Sequence, residues 1–136
     1  MKEIIVNPAT AEALPLVLDF VEKELEAAEC PAKALHQVLI ATEEVFVNIA
    51  SYAYYPEIGE ATIRCSVDRG PLRVAIQFLD RGQPYNPLEH KLPDTSAAAD
   101  EREIGGLGIL MVRKSMTEVD YEHRDGTNIL TIRKVI

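Results

Sequence analysis

Cysteine is scarce, with Cys30 and Cys65 the two in 136 residues. Two are too few for a disulfide framework. They suit a reducing compartment in which buried thiols pack as small hydrophobes. Long apolar runs are missing as well. None approaches the ~18 residues that a membrane-spanning helix needs, and the opening Met1-Lys2-Glu3-Ile4-Ile5-Val6 lacks the layout of a signal peptide. A cytoplasmic protein away from the membrane is expected. Positive charge is in the minority: 14 Lys and Arg stand against 22 Asp and Glu, for a formal charge of −8. No basic cluster is longer than Arg113-Lys114 or Arg133-Lys134. A protein that neutralises many phosphates needs a basic face, which argues against direct nucleic-acid binding. A small anionic ligand is still open to this chain, because backbone N–H groups bind phosphate without net positive charge.

Several motifs are absent. There is no G-x-x-x-x-G-K-[ST] loop and no G-x-G-x-x-G after a strand. Protein-kinase H-R-D and D-F-G sets and a G-x-S-x-G elbow are missing too. Cys30, Cys65, His36, His90 and His123 have no metal-ligand spacing.

What the chain does contain is ordinary for a globular protein, with 47% hydrophobic and 26% charged residues. At roughly 150 residues per domain, one domain over 1–136 is expected. Lys2 to Val6 reads as a strand ended by Asn7-Pro8. Leu14, Val17, Leu18, Val21 and Leu25 recur at helical spacing between Thr10, a candidate cap, and about Ala28, with Pro15 in the first turn or at a kink. A second helix starts at Cys30-Pro31 and runs to about Tyr54. The period then becomes two. Ala61, Ile63, Cys65 and Val67 form one strand, and Leu72, Val74, Ile76 and Phe78 a second, antiparallel across the turn at Asp68-Arg69-Gly70-Pro71. A long polar loop from about Arg81 to Ile104 precedes a third helix opened by Gly105-Gly106-Leu107-Gly108. Two last strands, Glu118 to His123 and Asn128 to Val135, flank Asp125-Gly126, a strong hairpin signal. Helices and a mostly antiparallel sheet are segregated along the chain. The expected fold class is α+β, a two-layer α/β sandwich with helices on one face of the sheet.

Four local patterns carry chemistry. Glu44 and Asn48 lie four apart on the second helix and so share a face. That face is opposite the main apolar stripe of Leu35, Val38, Leu39, Thr42, Phe46, Ile49 and Ala53. It is either a solvated surface or the border of a polar cleft. In a cleft, the Asn carboxamide oxygen suits Mg²⁺, and a Glu one turn away can take a proton from a hydroxyl. Asp80-Arg81-Gly82 follows a strand directly. It is a plain turn, or a carboxylate placed to accept from the exocyclic amine of adenine, which guanine lacks at that position. Gly82 would let a ring approach the backbone. Gly105-Gly106-Leu107-Gly108 is a loop–helix junction or a phosphate site at a helix N-terminus. Asp125-Gly126-Thr127 is a hairpin turn whose hydroxyl could complete a base pocket.

In this order and on these elements, the four patterns resemble the motif set of the GHKL ATPase superfamily. The resemblance is nearest to its bacterial anti-sigma factor serine/threonine kinases and covers essentially the whole chain. Glu44…Asn48 is similar to the N box. Asp80-Arg81-Gly82, continuing through Pro84-Tyr85-Asn86-Pro87, is similar to the adenine box. Gly105 to Gly108 with Ile109, Met111, Val112, Arg113 and Lys114 resembles the glycine box, and Gly126-Thr127 the last box. The resemblance implies that Glu44 is the general base and Asn48 the Mg²⁺ ligand. It implies Asp80 on the adenine amine, Gly82 beneath the ring and Thr127 nearby. Gly105, Gly106, Leu107 and Gly108 would cradle the phosphates of ATP, and residues 88–104 would be the ATP lid, where Arg102 is a candidate phosphate contact. It further implies phosphorylation of a small anti-anti-sigma (STAS) protein, binding of a sigma factor, and a homodimer. Two departures are present: Tyr52-Ala53-Tyr54 where the family often has His-Gly-Tyr, and Pro84 where the wider superfamily has a second glycine. A non-transferring module, which holds nucleotide to set its shape and sequesters a sigma factor, is the alternative.

Overall fold

Strands whose alternate residues are apolar must bury one face, and the described residues provide five of them. The computed structural model describes residues 1–84, 86 and 106–136. The strands are β1 (Lys2–Val6), β2 (Ala61–Asp68), β3 (Arg73–Asp80), β4 (Glu118–Arg124) and β5 (Thr127–Val135). They form one sheet in the order β1-β2-β3-β5-β4, every neighbouring pair antiparallel. Register aligns the apolar rows across the sheet. Ile63, Phe78 and Leu130 lie side by side, as do Cys65, Ile76 and Ile132. One step further, Asp80 lies between Ala61 and Asn128. The inward rows are buried, while Arg64, Gln77 and Arg133 occupy the other face.

Among the described residues, three helices cover the apolar face: α1 (Leu14–Ala27), α2 (Ala32–Asn48) and α3 (Gly106–Ser115). This is the expected two-layer α+β sandwich. Pro15 stands in the first turn of α1 after a short 3₁₀ turn, Ala11–Ala13, so it produces no kink. Thr10 makes no side-chain cap. Val17, Val21 and Leu25 of α1 are fully buried, and Val112 and Met116 bring α3 and the residue after it into the same core. Thr42 is also fully buried. Its hydroxyl donates to the Val38 carbonyl at 2.8 Å, which satisfies it inside the helix. On α2 the buried face is wider than the stripe read from the sequence. Ala34, Ala41 and Val45 are buried too, in a helix that both α1 and α3 pack against. The helix is continued by one π-helical turn, Ile49–Ala53, that ends the expected span. The expected hairpin is present, with Asp125 at φ 53° and Gly126 at φ 76°, the pair of positive angles of a type I′ turn. Among the described residues, no helix is long and apolar enough to cross a membrane.

Besides Asp125, Glu29 is the other non-glycine position with positive φ among the described residues. Glu29 has φ 59°. The Cys30 N–H donates to Leu25 O at 3.0 Å and the Glu29 N–H to Glu26 O at 2.9 Å, the paired bonds of a Schellman cap that ends α1. Glycine occupies such a position without the Cβ penalty. Glu29→Gly is therefore expected to raise stability by about 0.5–1 kcal/mol, a few degrees in Tm. A lower Tm in thermal unfolding would contradict this account of the α1–α2 corner.

Candidate functional site

The site grows from the C-terminal end of β3. The inward face of the sheet is apolar up to Phe78, and the next inward residue is Asp80, only 7% exposed. An isolated carboxylate there would be costly, so it needs donors. Two are present: the Gly82 N–H and the Asn128 side-chain amide, each 2.9 Å from Asp80 Oδ1. Burial still pushes the Asp80 carboxyl above its ordinary value, offset in part by these two hydrogen bonds and by the nearby His123.

Asn128 comes from β5, opposite Asp80 in the ladder. Its Nδ2 also donates to the backbone carbonyls of Gly82 at 3.3 Å and Gln83 at 3.0 Å. Its Oδ1 accepts a short hydrogen bond from the Tyr121 hydroxyl. The loop after β3 is thereby tied to β5. It is tied to the end of α2 as well, since the Gln83 N–H donates to Ala53 O at 2.8 Å. The Tyr54 hydroxyl accepts from the Arg81 N–H at 2.8 Å and donates to Glu60 O at 2.5 Å. Gly82 is needed for this approach. A Cβ there would lie 2.1 Å from Ala53 O and 2.5 Å from its carbonyl carbon. The demand on Gly82 comes from the backbone of the π turn.

Between this strand end and the helices lies a cavity of about 350 Å³, within the ordinary range for small-molecule sites. Val45, Ile49, Ala53, Phe78, Ile109 and Leu130 make its walls apolar. Its polar groups are few: Asp80, Asn128, Asn48, Gln83 and the two tyrosines Tyr52 and Tyr121. Asn48 is the last residue of α2, where the helix passes into its π turn; such turns recur at functional sites. The amide Nδ2 of Asn48 is buried and has no hydrogen-bond partner among the described residues. A buried amide in that condition asks for a polar ligand. The carboxamide also offers an oxygen, a hard donor that fits Mg²⁺ when phosphates and water complete its shell. Ile109, the fourth residue of α3, lines the cavity.

The sequence-derived residues are distributed as follows. Asn48 and Asp80 line the cavity together, and Gly82 lies in the loop bonded to Asp80. Glu44 is half-buried one turn before Asn48 and is not among the lining residues. Gly106, Leu107 and Gly108 form the opening turn of α3. Thr127 lines a different groove with Tyr54, Arg81 and the outward-facing Thr62 and Leu79. Gly105, Arg102 and the lid at 88–104 lie outside the described residues. Asn128 was not singled out from the sequence. Its signal was a polar residue at an inward position of β5, in phase with Leu130 and Ile132.

Known proteins resemble this chain in sequence and in fold. Residues 7–134 match the family model of the histidine kinase-like ATPase domain. The serine/threonine-protein kinase BtrW of Bordetella bronchiseptica is 28% identical over 101 residues, covering 74% of this chain and 70% of that protein. The serine-protein kinase RsbW of Bacillus cereus is 22% identical over 103 residues, and this chain spans 64% of its length. Among solved structures, the RsbU and RsbW domains of a Mycobacterium tuberculosis protein superpose with TM-score 0.64 at 15% identity, over 99% of this chain and 32% of that one. The SiaB–SiaC complex of Pseudomonas aeruginosa gives TM-score 0.56 at 19% identity, over 98% and 89%. These two likenesses concern the fold.

Gly82→Ala tests the architecture of the loop directly. The added methyl meets backbone, which cannot swing aside. Loss of the Gln83–Ala53 bond and a Tm lower by several degrees, equivalent to about 1–3 kcal/mol, are expected. An unchanged Tm would show that the 81–83 segment does not depend on this contact.

Proposed function

The chain belongs to the histidine kinase-like ATPase domain family, and we propose that it is an anti-sigma factor-type kinase that binds Mg-ATP and phosphorylates a Ser or Thr of a small anti-anti-sigma (STAS) protein. The observation that carries this reading is the cavity itself, an apolar slot lined by one buried carboxylate, Asp80, and by Asn48, whose buried amide nitrogen has no partner among the described residues. A planar base with an exocyclic amine suits the first, and a charged, polar tail suits the second.

The residues divide the work by chemistry. Asp80 would accept from the adenine amine through Oδ2, since its two hydrogen bonds fall on Oδ1. A 6-oxo base would present lone pairs to that carboxylate and leave a buried charge unpaired. The N–H groups of the first turn of α3, with the positive end of the helix dipole, would meet the phosphates. Asn48 would hold magnesium through its carboxamide oxygen, and the ion, when bound, offsets charge that develops on the phosphates. Glu44 would take the proton of the attacking hydroxyl as its oxygen bonds to the γ-phosphorus and the bond to the β-phosphate oxygen breaks, leaving ADP. Residues 88–104 would serve as the lid and Gly105 as the start of the phosphate cradle. Thr127 would act at the edge of the base site. Partner switching also requires sigma-factor binding, and the reading includes a cytoplasmic homodimer. Its support is the likeness to BtrW and RsbW, whose names are those of protein kinases, and to SiaB, which was solved with a protein partner.

The position of Glu44 outside the cavity lining favours a second reading, a nucleotide-holding module that sequesters a sigma factor without phosphate transfer. Phosphate transfer from radiolabelled ATP separates the two. The kinase reading predicts stoichiometric phosphorylation of a STAS partner and its loss in Glu44→Gln. Capture of the sigma factor with no phosphoprotein product under any condition supports the module. Unchanged transfer in Glu44→Gln removes that residue from the base role.

Nucleotide preference is read by thermal shift. At about 100 times its dissociation constant, ADP or ATP with Mg²⁺ is expected to add roughly 2.7 kcal/mol, on the order of 10 °C. GTP is expected to give much less, and Asp80→Asn to abolish the difference. Equal shifts with both nucleotides in the native protein would contradict the adenine assignment.

A further inference from the structure

Asn128 has every polar atom of its side chain engaged, although it lines the cavity. Its two amide hydrogens are shared among Asp80 Oδ1, Gly82 O and Gln83 O, and its oxygen accepts from Tyr121. Both amide hydrogens are therefore committed to neighbours, which leaves no donor free for a ligand. A polar side chain in a binding cavity whose donors are spent on its neighbours acts through them.

We propose that Tyr121 and Asn128 form a positioning relay that fixes the Asp80 carboxylate, with Oδ1 occupied and Oδ2 turned to the ligand, and that this relay sets selectivity for 6-amino over 6-oxo purine nucleotides. The inference rests on the nucleotide-binding reading above and assigns to it two residues of β4 and β5. The Tyr121 hydroxyl polarises the amide, and the amide donates to a carboxylate that burial disfavours in its charged form. A charged, correctly turned Asp80 accepts from an amine. A protonated one can donate to a 6-oxo group and loses discrimination.

The other ionisable groups near Asp80 act in known directions. His123 on β4 favours its charged form. Tyr54, Glu60 and Arg81 line the groove that shares Asp80 on the far side. As pH falls, Asp80 gains its proton above the usual carboxylate value, so affinity for an amine-bearing base falls with it. Weakening the relay raises that midpoint further. Loss of the relay therefore moves the acid limb of nucleotide binding to higher pH, and the control His123→Gln removes the opposing influence of His123 on Asp80.

The experiment measures ADP and IDP affinity by calorimetry across pH in the native protein, in Asn128→Asp and in Tyr121→Phe. Asn128→Asp replaces the amide with a second carboxyl of the same shape beside Asp80, so the two share a proton. ADP affinity at neutral pH is expected to fall roughly tenfold or more, with the acid midpoint raised and the ADP-to-IDP ratio collapsed. Tyr121→Phe adds no charge and is expected to shift the midpoint the same way by less. It carries the test if Asn128→Asp does not fold. Folded variants with the native midpoint and the native ADP-to-IDP ratio overturn the relay while leaving nucleotide binding intact. A native protein that binds neither nucleotide overturns the nucleotide reading itself, and the relay with it.

Discussion

A carboxylate buried at the end of the central strand is the constraint around which the rest is arranged. Asp80 continues the inward row of Val74, Ile76 and Phe78, so register alone drives it under the helices. Water is withdrawn from it there, and the chain must return hydrogen bonds. It does so from two directions, the backbone of Gly82 and the amide of Asn128. Those two donors fix the course of the loop after β3 and the pairing of β3 with β5 at that end. The chemistry of the cavity and the local fold thus have one origin.

The helical layer completes the site from the other side. α2 buries Val38, Ala41, Thr42, Val45 and Phe46, and it packs against α1, α3 and the sheet. With these residues committed to packing, Asn48 is brought to the cavity at the point where the helix changes to a π turn. The turn presents the Ala53 carbonyl to Gln83, and a residue without a side chain between them is the one that fits. Packing and polar satisfaction pull in the same direction everywhere except at Asn48 Nδ2, which is buried without a partner among the described residues. Sites where local satisfaction fails are expected at function.

The sequence made the architecture legible because the signals were strong. Period-two stretches gave β2, β3 and β5, Asp125-Gly126 gave the last hairpin, and Pro15 and Pro31 marked helix starts. Asp80 and Asn48 were legible from strand-end and helix-face arguments. Other features depend on tertiary contacts that no local pattern encodes. Asn48 lies opposite the apolar stripe of the sequence, yet the flank it shares with Ala34, Ala41 and Val45 is buried in the fold, where α2 packs against both α1 and α3. The π turn and the pressure of Ala53 on Gly82 have no signature in spacing. Thr127 carries the hydroxyl that the motif points to, yet the period of two sends it to the opposite face and brings its neighbour Asn128 to the cavity.

The central claim is that an adenosine phosphate occupies the cavity between α2 and the β3–β5 strand end, with its amine on Asp80. The most direct measurement is a crystal structure of the protein with ADP and Mg²⁺. The account predicts the adenine between Ile49, Phe78 and Leu130, its amine within hydrogen-bond distance of Asp80, and the phosphates at the first turn of α3. Nucleotide bound elsewhere, or a base lodged with its amine turned away from Asp80, would contradict it.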